Sequence, residues 1–193
     1  MLDFAGPFEV FSVAKLPTGE PAFRVVTVAL HPGEVVARGN LRIIPTCTSR
    51  SLEGTDILVV PGGPGTRREM NRSACLTFLR DFSCSAELTL SVCTGALLLG
   101  AAGLLEGQGA TTHWAAMHEL RALPTGAEIF PEARVVDNGP IVVAAGVSAG
   151  IDAALHVVAR LVGPAEAEAT ARAMQYDWSS LRSAERTLVR TCS

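Results

Sequence analysis

The stretch Glu87–Leu105, ELTLSVCTGALLLGAAGLL, constrains this chain more than any other, because it puts one cysteine where a strand must stop and a helix begin. Leu88, Leu90 and Val92 make Glu87–Val92 a buried strand, and the run of small and apolar residues behind it has the length of a helix. Cys93 falls on the corner. Ser91 and Gly95, two residues before and two after, give the spacing of a nucleophile elbow, in which small neighbours relieve a sharp strand-to-helix turn. Such a turn presents the side chain at the carboxyl end of the sheet, and the N–H groups and dipole of the following helix favour the thiolate. The competing reading is a small core hydrophobe, the fate of most free cysteines. The elbow spacing favours the reactive reading.

The rest of the chain supplies partners for that strand. Asp56–Val60, DILVV, is a near-continuous apolar strand of the kind buried on both faces, and it runs into Pro61-Gly62-Gly63-Pro64-Gly65. Met1–Pro7 reads as a turn, with a short helix over Phe8–Leu16 that points Phe8, Phe11 and Val10 inward. Phe23–Leu30 is a β-branched strand, and Val35–Pro45 a small hairpin turning at Gly39-Asn40. Thr66–Phe82 is an amphipathic helix with Met70, Leu76 and Leu79 facing the core. After the elbow come a short strand over Ala110–Trp114 and a helix over Ala115–Leu123. A hairpin follows over Arg134–Gly146, turning at Asp137-Asn138-Gly139. Ser148 is placed to cap a helix Ala149–Leu161, which Gly163-Pro164 ends, and an alanine-rich helix covers Ala165–Met174. Strands alternating with helices predict an α/β fold, a flavodoxin-like three-layer sandwich with a mainly parallel sheet and its sites at the carboxyl strand ends. At 193 residues and 48% hydrophobic against 18% charged, the chain suits one domain with a sizeable core.

Charge and cysteine use bound the partners. A net charge of −3 argues against general affinity for nucleic acid or an anionic membrane and favours small neutral molecules. The apolar run Ala96–Leu105 is too short to span a bilayer. Five cysteines, Cys47, Cys75, Cys84, Cys93 and Cys192, are odd in number, show no CxxC spacing and come without a secretory leader, a pattern that points to reduced thiols in the cytoplasm.

LDFAGPFEVF at Leu2–Phe11, DILVVPGGPG at Asp56–Gly65, SVCTGALLLGAAGLLEG at Ser91–Gly107, ATTHW at Ala110–Trp114 and GVSAGIDAALHVVARLVG at Gly146–Gly163 together resemble the ThiJ/PfpI superfamily, the class I glutamine-amidotransferase-like fold. Within it, VCTGA with LDFAGP and GVSAGID is most similar to isonitrile hydratases and to the ligand-binding halves of AraC-type regulators. The resemblance implies Cys93 as nucleophile and Asp3 as its acidic partner. It also implies Gly63 and Thr94 as backbone donors to a developing anion, with Gly62 allowing close approach. Thr94, Gly150 and Ile151 are candidates to line the pocket, with packing as an equal explanation. His113 either orients substrate as a secondary base or closes the end of a strand. The implied reaction is hydration of an isonitrile to an N-substituted formamide by a homodimer, with one water and no cofactor. Glyoxalase-like chemistry on small 2-oxoaldehydes and a ligand or redox sensor are the rivals.

Departures sharpen the reading. Thr94 stands where the protease-like branch has histidine, and Gly146–Asp152 lacks the histidine and glutamate of amidotransferases, so peptide and glutamine hydrolysis are disfavoured. The superfamily usually has a central strand before the LDFAGP-like turn, where this sequence starts. Lacking that strand would expose two sheet edges and leave Asp3 on a frayed end.

The remaining polar groups point elsewhere. His113 and His118 are five apart with no carboxylate completing a set, so no metal is assigned. Asp152 favours a helix dipole, and Arg67, Arg68 and Arg72 form a solvated patch. Tyr176 and Trp178 anchor the tail. Arg182, Arg186 and Arg190 recur at helical spacing, yet one basic helix is not a helix-turn-helix pair.

Overall fold

The computed structural model describes residues 1–52, 54–178 and 187–190. In chain order the helices are α1 Leu2–Val13, α2 Thr66–Glu69, α3 Ser73–Ser85, α4 Gly95–Ala101, α5 Met117–Ala122, α6 Ala149–Leu161 and α7 Pro164–Ala173. The strands are β1 Val28–Ala29, β2 Val35–Val36, β3 Arg42–Ile43, β4 Cys47–Thr48, β5 Ile57–Val60, β6 Leu88–Val92, β7 Gly109–Ala110, β8 Glu128–Ile129, β9 Val135–Asp137, β10 Ile141–Ala144 and β11 Thr187–Val189.

The main sheet runs β11-β9-β10-β6-β5 and is parallel except between β9 and β10, the hairpin that Asn138-Gly139 turns. β6 is buried along its whole length because helices cover both faces. Leu88, Leu90 and Val92 point into one core with Val10 and Phe11 of α1 and Leu155 and Val158 of α6. Leu58 and Val60 of β5 alternate to the other face and meet Leu79 of α3 and Leu97 of α4. This is the three-layer α/β sandwich expected from the alternation of elements. Among the described residues no helix is long and apolar enough to cross a membrane.

Several local expectations are corrected. The amino end is helix from Leu2 rather than turn: Phe4 and Ala5 donate to the Met1 carbonyl, and Pro7, which lacks an N–H, removes one hydrogen bond without ending the helix. Phe8 is 38% exposed rather than inward, while Val10 and Phe11 are buried. Only Val28–Ala29 of the long strand expected over Phe23–Leu30 is ladder-paired, to β4, because the edge of β5 is not beside it to complete a sheet. The helix expected over Thr66–Phe82 breaks between α2 and α3. Ser148 does not cap α6, because its hydroxyl accepts instead from the Arg134 guanidinium at 3.0 Å. The chain around Arg190 is strand rather than basic helix: β11 pairs with β9, and Arg190 meets Glu128 at 3.4 Å. Arg182, Arg186 and Cys192 lie outside the described residues.

Two glycines set how closely layers approach. A Cβ on Gly6 would stand 2.9 Å from Ile151, and one on Gly150 2.8 Å from Val92, so α1, α6 and β6 pack at distances only glycine permits. That approach brings the first turn of α1 to the carboxyl ends of β5 and β6.

Candidate active site

Cys93 leaves β6 with φ +59°, a left-handed backbone that non-glycine residues seldom adopt. Its surroundings hold it there. The Cys93 N–H donates to the carbonyls of Ala144 (3.1 Å) and Ala145 (2.9 Å) at the end of β10, and the Thr112 hydroxyl donates to the Cys93 carbonyl at 2.7 Å. Gly95 lies so close under the Val60 carbonyl that any Cβ would collide with it, which is the physical reason for a glycine two residues after the cysteine. Ser91, two residues before, is fully buried, and its hydroxyl has no hydrogen-bond partner.

The sulfur is 7% exposed on a whole-residue basis and faces three hydrogen-bonding groups. The N–H groups of Thr94 and Val147 donate to it, and the Asp3 carboxyl group hydrogen-bonds it. Burial does most to push the thiol up from its ordinary value, the Asp3 charge adds to it, and the two N–H groups offset only part. This corrects the expectation that the helix end would favour the thiolate: α4 has only seven residues and is outweighed by burial and a neighbouring carboxylate.

Asp3 is 5% exposed in the first turn of α1, not on a frayed end. Gly62 faces both groups: a Cβ there would sit 2.5 Å from the Thr94 nitrogen, 2.7 Å from its hydroxyl and 2.9 Å from Asp3 Oδ2. Gly63, at φ +134°, gives its N–H to the Thr94 hydroxyl at 2.8 Å, and that hydroxyl lies 3.2 Å from the Gly63 carbonyl. The Gly63 donor is thus committed to Thr94, and the donors reaching the sulfur belong to Thr94 and Val147. Val147 was not legible in the sequence; its φ of +44° follows from the tight turn between β10 and α6.

His113 lies on the cavity wall with Cys93. Its Nδ1 accepts the Ala115 N–H at 3.2 Å and starts a short 3-10 turn, while its ring fills the space that a Cβ on Gly146 would need. Its position serves the turn, with the ring edge open to the cavity. Gly150 and Ile151 are not on that wall: both are spent on packing among α1, α6 and β6. Asp152 does more than meet a helix dipole. It pairs with Arg134 and accepts the Tyr176 hydroxyl at 2.8 Å, which fastens the chain after α7 to the body. Arg67 also lines the cavity and is held by Glu119 of α5 through two hydrogen bonds, one of 2.9 Å from Nε, while Arg68 and Arg72 pair with Glu69. Two carboxylates thus offset part of the charge of the three arginines. Among the described residues no group of three or more His, Cys, Asp or Glu is placed to hold a metal ion.

The sequence pattern of the DJ-1/PfpI family matches residues 2–160. The chain belongs to the DJ-1/PfpI family. It is 39% identical to isonitrile hydratase of Pseudomonas putida over 175 residues, covering 91% of this chain and 73% of the hydratase. A ThiJ/PfpI family protein from Pseudomonas syringae superposes with a TM-score of 0.81 at 34% identity, over 92% of this chain and 71% of that one. The HTH-type transcriptional regulator GbdR of Pseudomonas aeruginosa is 26% identical over 83% of this chain, which spans 43% of the regulator. Enzymes and regulators thus share the DJ-1/PfpI domain seen here.

Proposed function

We propose that this DJ-1/PfpI protein hydrates isonitriles to N-substituted formamides, with Cys93 as nucleophile and Asp3 as the proton carrier. The observation that carries the reading is the Asp3 carboxyl group hydrogen-bonded to a buried thiol at the wall of an open cavity. The 39% identity to a hydratase over most of the chain supports it. As Asp3 takes the thiol proton, sulfur attacks the terminal carbon of R–N≡C and forms a C–S bond. Asp3 delivers that proton to the same carbon, giving the thioimidate R–N=CH–S. Water then adds to this carbon, its protons pass to nitrogen and sulfur, and the C–S bond breaks to release R–NH–CHO and the thiol. The upward push that burial and Asp3 give the thiol suits this sequence, since it favours the form that brings the proton the carbon needs.

Turnover of a small aryl and a small alkyl isonitrile, with methylglyoxal in parallel, tests the reading in the wild-type chain, Cys93→Ala and Asp3→Asn. Formamide production lost in both variants is the expected result. Hydroxyacid from methylglyoxal would replace the reaction while keeping Cys93, and full activity in Cys93→Ala would sink the nucleophile. Likeness to a transcriptional regulator supports a second reading, a ligand-sensing domain. Isonitrile binding without turnover by folded protein would favour it.

A further inference from the structure

A β-branched residue in left-handed backbone is an outlier that a structure keeps only where its surroundings over-determine it, and such outliers gather at functional sites. Among the described residues Val147 is the one β-branched case, at φ +44° between β10 and α6. The tight turn accounts for its backbone but not for its side chain, because glycine would be at ease there. The neighbouring Gly146 is fixed by contact, since a Cβ on it would collide with the His113 ring. No packing need fixes a valine next to it: the Val147 side chain is 38% exposed and packs on neither apolar core.

What the side chain does border is the cavity, whose wall it shares with Cys93, Asp3, Gly62 and His113. The Cys93 N–H donates to the Ala145 carbonyl at 2.9 Å, two residues before Val147, and the Val147 N–H reaches back to the sulfur. The isopropyl group therefore stands beside the thiol. That thiol is screened although its cavity is open: Cys93 is 7% exposed on a wall that extends from Phe4 of α1 to Ala116 ahead of α5. Selection by size thus falls to the groups that ring the sulfur. Asp3 and Thr94 are 5% and 4% exposed and present little bulk to an arriving molecule, which leaves Val147 as the exposed apolar group. A β-branched side chain is stiff about its first torsion, so it makes a fixed obstacle rather than a yielding one.

We propose that the Val147 side chain is a size gate for Cys93, one that passes a slender or flat electrophile and turns away one branched close to its reacting carbon. The gate acts before any bond forms and does not depend on the reaction that follows. For isonitriles the inference rests on the hydration reading above, and there it favours n-alkyl and aryl isonitriles over tertiary ones.

Iodoacetamide and N-tert-butyl-iodoacetamide test it, because they share a reacting carbon and a leaving group and differ in bulk. Their alkylation rates at Cys93, read by peptide mass spectrometry, form a ratio in which a change of thiol reactivity cancels. Cys84, exposed and off the cavity wall, gives the ratio set by the reagents alone. In the wild-type chain the ratio at Cys93 should exceed that at Cys84 by roughly tenfold or more. Val147→Ala should lower it by roughly fivefold, while Val147→Thr, which keeps the branched shape and the backbone N–H, should hold it within about twofold of wild type. Equal ratios at Cys93 and Cys84, an unchanged ratio in Val147→Ala, or a loss in Val147→Thr as large as in Val147→Ala would each overturn the gate. Turnover of n-butyl against tert-butyl isonitrile should rank the three proteins in the same order. A folded protein that turns over neither isonitrile yet keeps the alkylation pattern would sink the hydration reading and uphold the gate.

Discussion

Adding one methyl group to either of two glycines in the same loop should have opposite effects. At Gly62 a Cβ meets the Thr94 backbone nitrogen at 2.5 Å, its hydroxyl at 2.7 Å and Asp3 Oδ2 at 2.9 Å. The first is main chain at the corner beside Cys93, which cannot swing away as a side-chain end can. Overpacking of that kind costs about 1–3 kcal/mol, against a gain of roughly 0.4–1 kcal/mol from restricting the unfolded chain. Gly62→Ala is therefore destabilising by about 1–2 kcal/mol, and for a chain of this size each kcal/mol moves Tm by about 2–4 °C. Gly65 has nothing within 4 Å of the same position and sits at φ −64°, ψ −19°, where alanine is at ease. Gly65→Ala keeps only the favourable part and raises Tm by roughly 1–4 °C. Scanning calorimetry of the two variants side by side reads the difference, and alkylation of Cys93 reports whether the corner has moved. A Gly62→Ala protein as stable as Gly65→Ala, with unchanged Cys93 alkylation, would refute the close-approach argument.

Two further results follow from ionisation. Because burial and Asp3 hold the Cys93 thiol above its ordinary value, its alkylation rate should keep rising past pH 9; Asp3→Asn removes the charge and should move the midpoint down, as a pH series with iodoacetamide would show. Burial raises Asp137, yet hydrogen bonds from His156 (2.7 Å), Gly139 (2.8 Å) and Arg160 (2.8 Å) outweigh it and bring its carboxyl below the usual range. A depressed carboxyl pKa contributes stability above its unfolded value and loses it as pH falls through the folded one, so urea titrations below about pH 4 should show wild type converging on Asp137→Asn.

Much of the site was legible because its residues carry their reason locally. Cys93 between Ser91 and Gly95 declares a tight corner, and Asp56–Val60 running into glycines declares a strand end. Asp3 came through resemblance, and in the structure it is buried in the first turn of α1 near Gly62. What was not legible depends on distant parts of the chain. Val147 reaches the sulfur only because the β10–α6 turn folds back over β6, and Thr112 holds the Cys93 carbonyl from nineteen residues away. Gly150 and Ile151 were candidates for the pocket because their motif is shared, but close packing of α1 on α6 accounts for them instead. Phe23–Leu30 reads as a long strand by propensity; without a ladder on its inner edge, only two residues of it pair.

The bidentate clasp of Arg67 on Glu119 bears on how fast molecules arrive. A lone guanidinium at the rim would draw anions inward and make their capture sensitive to ionic strength. With its charge offset by Glu119, Arg67 itself exerts little pull at a distance. Arg67 therefore adds little salt dependence to capture, and it gives an anion scant advantage over an uncharged molecule on the way to the thiol.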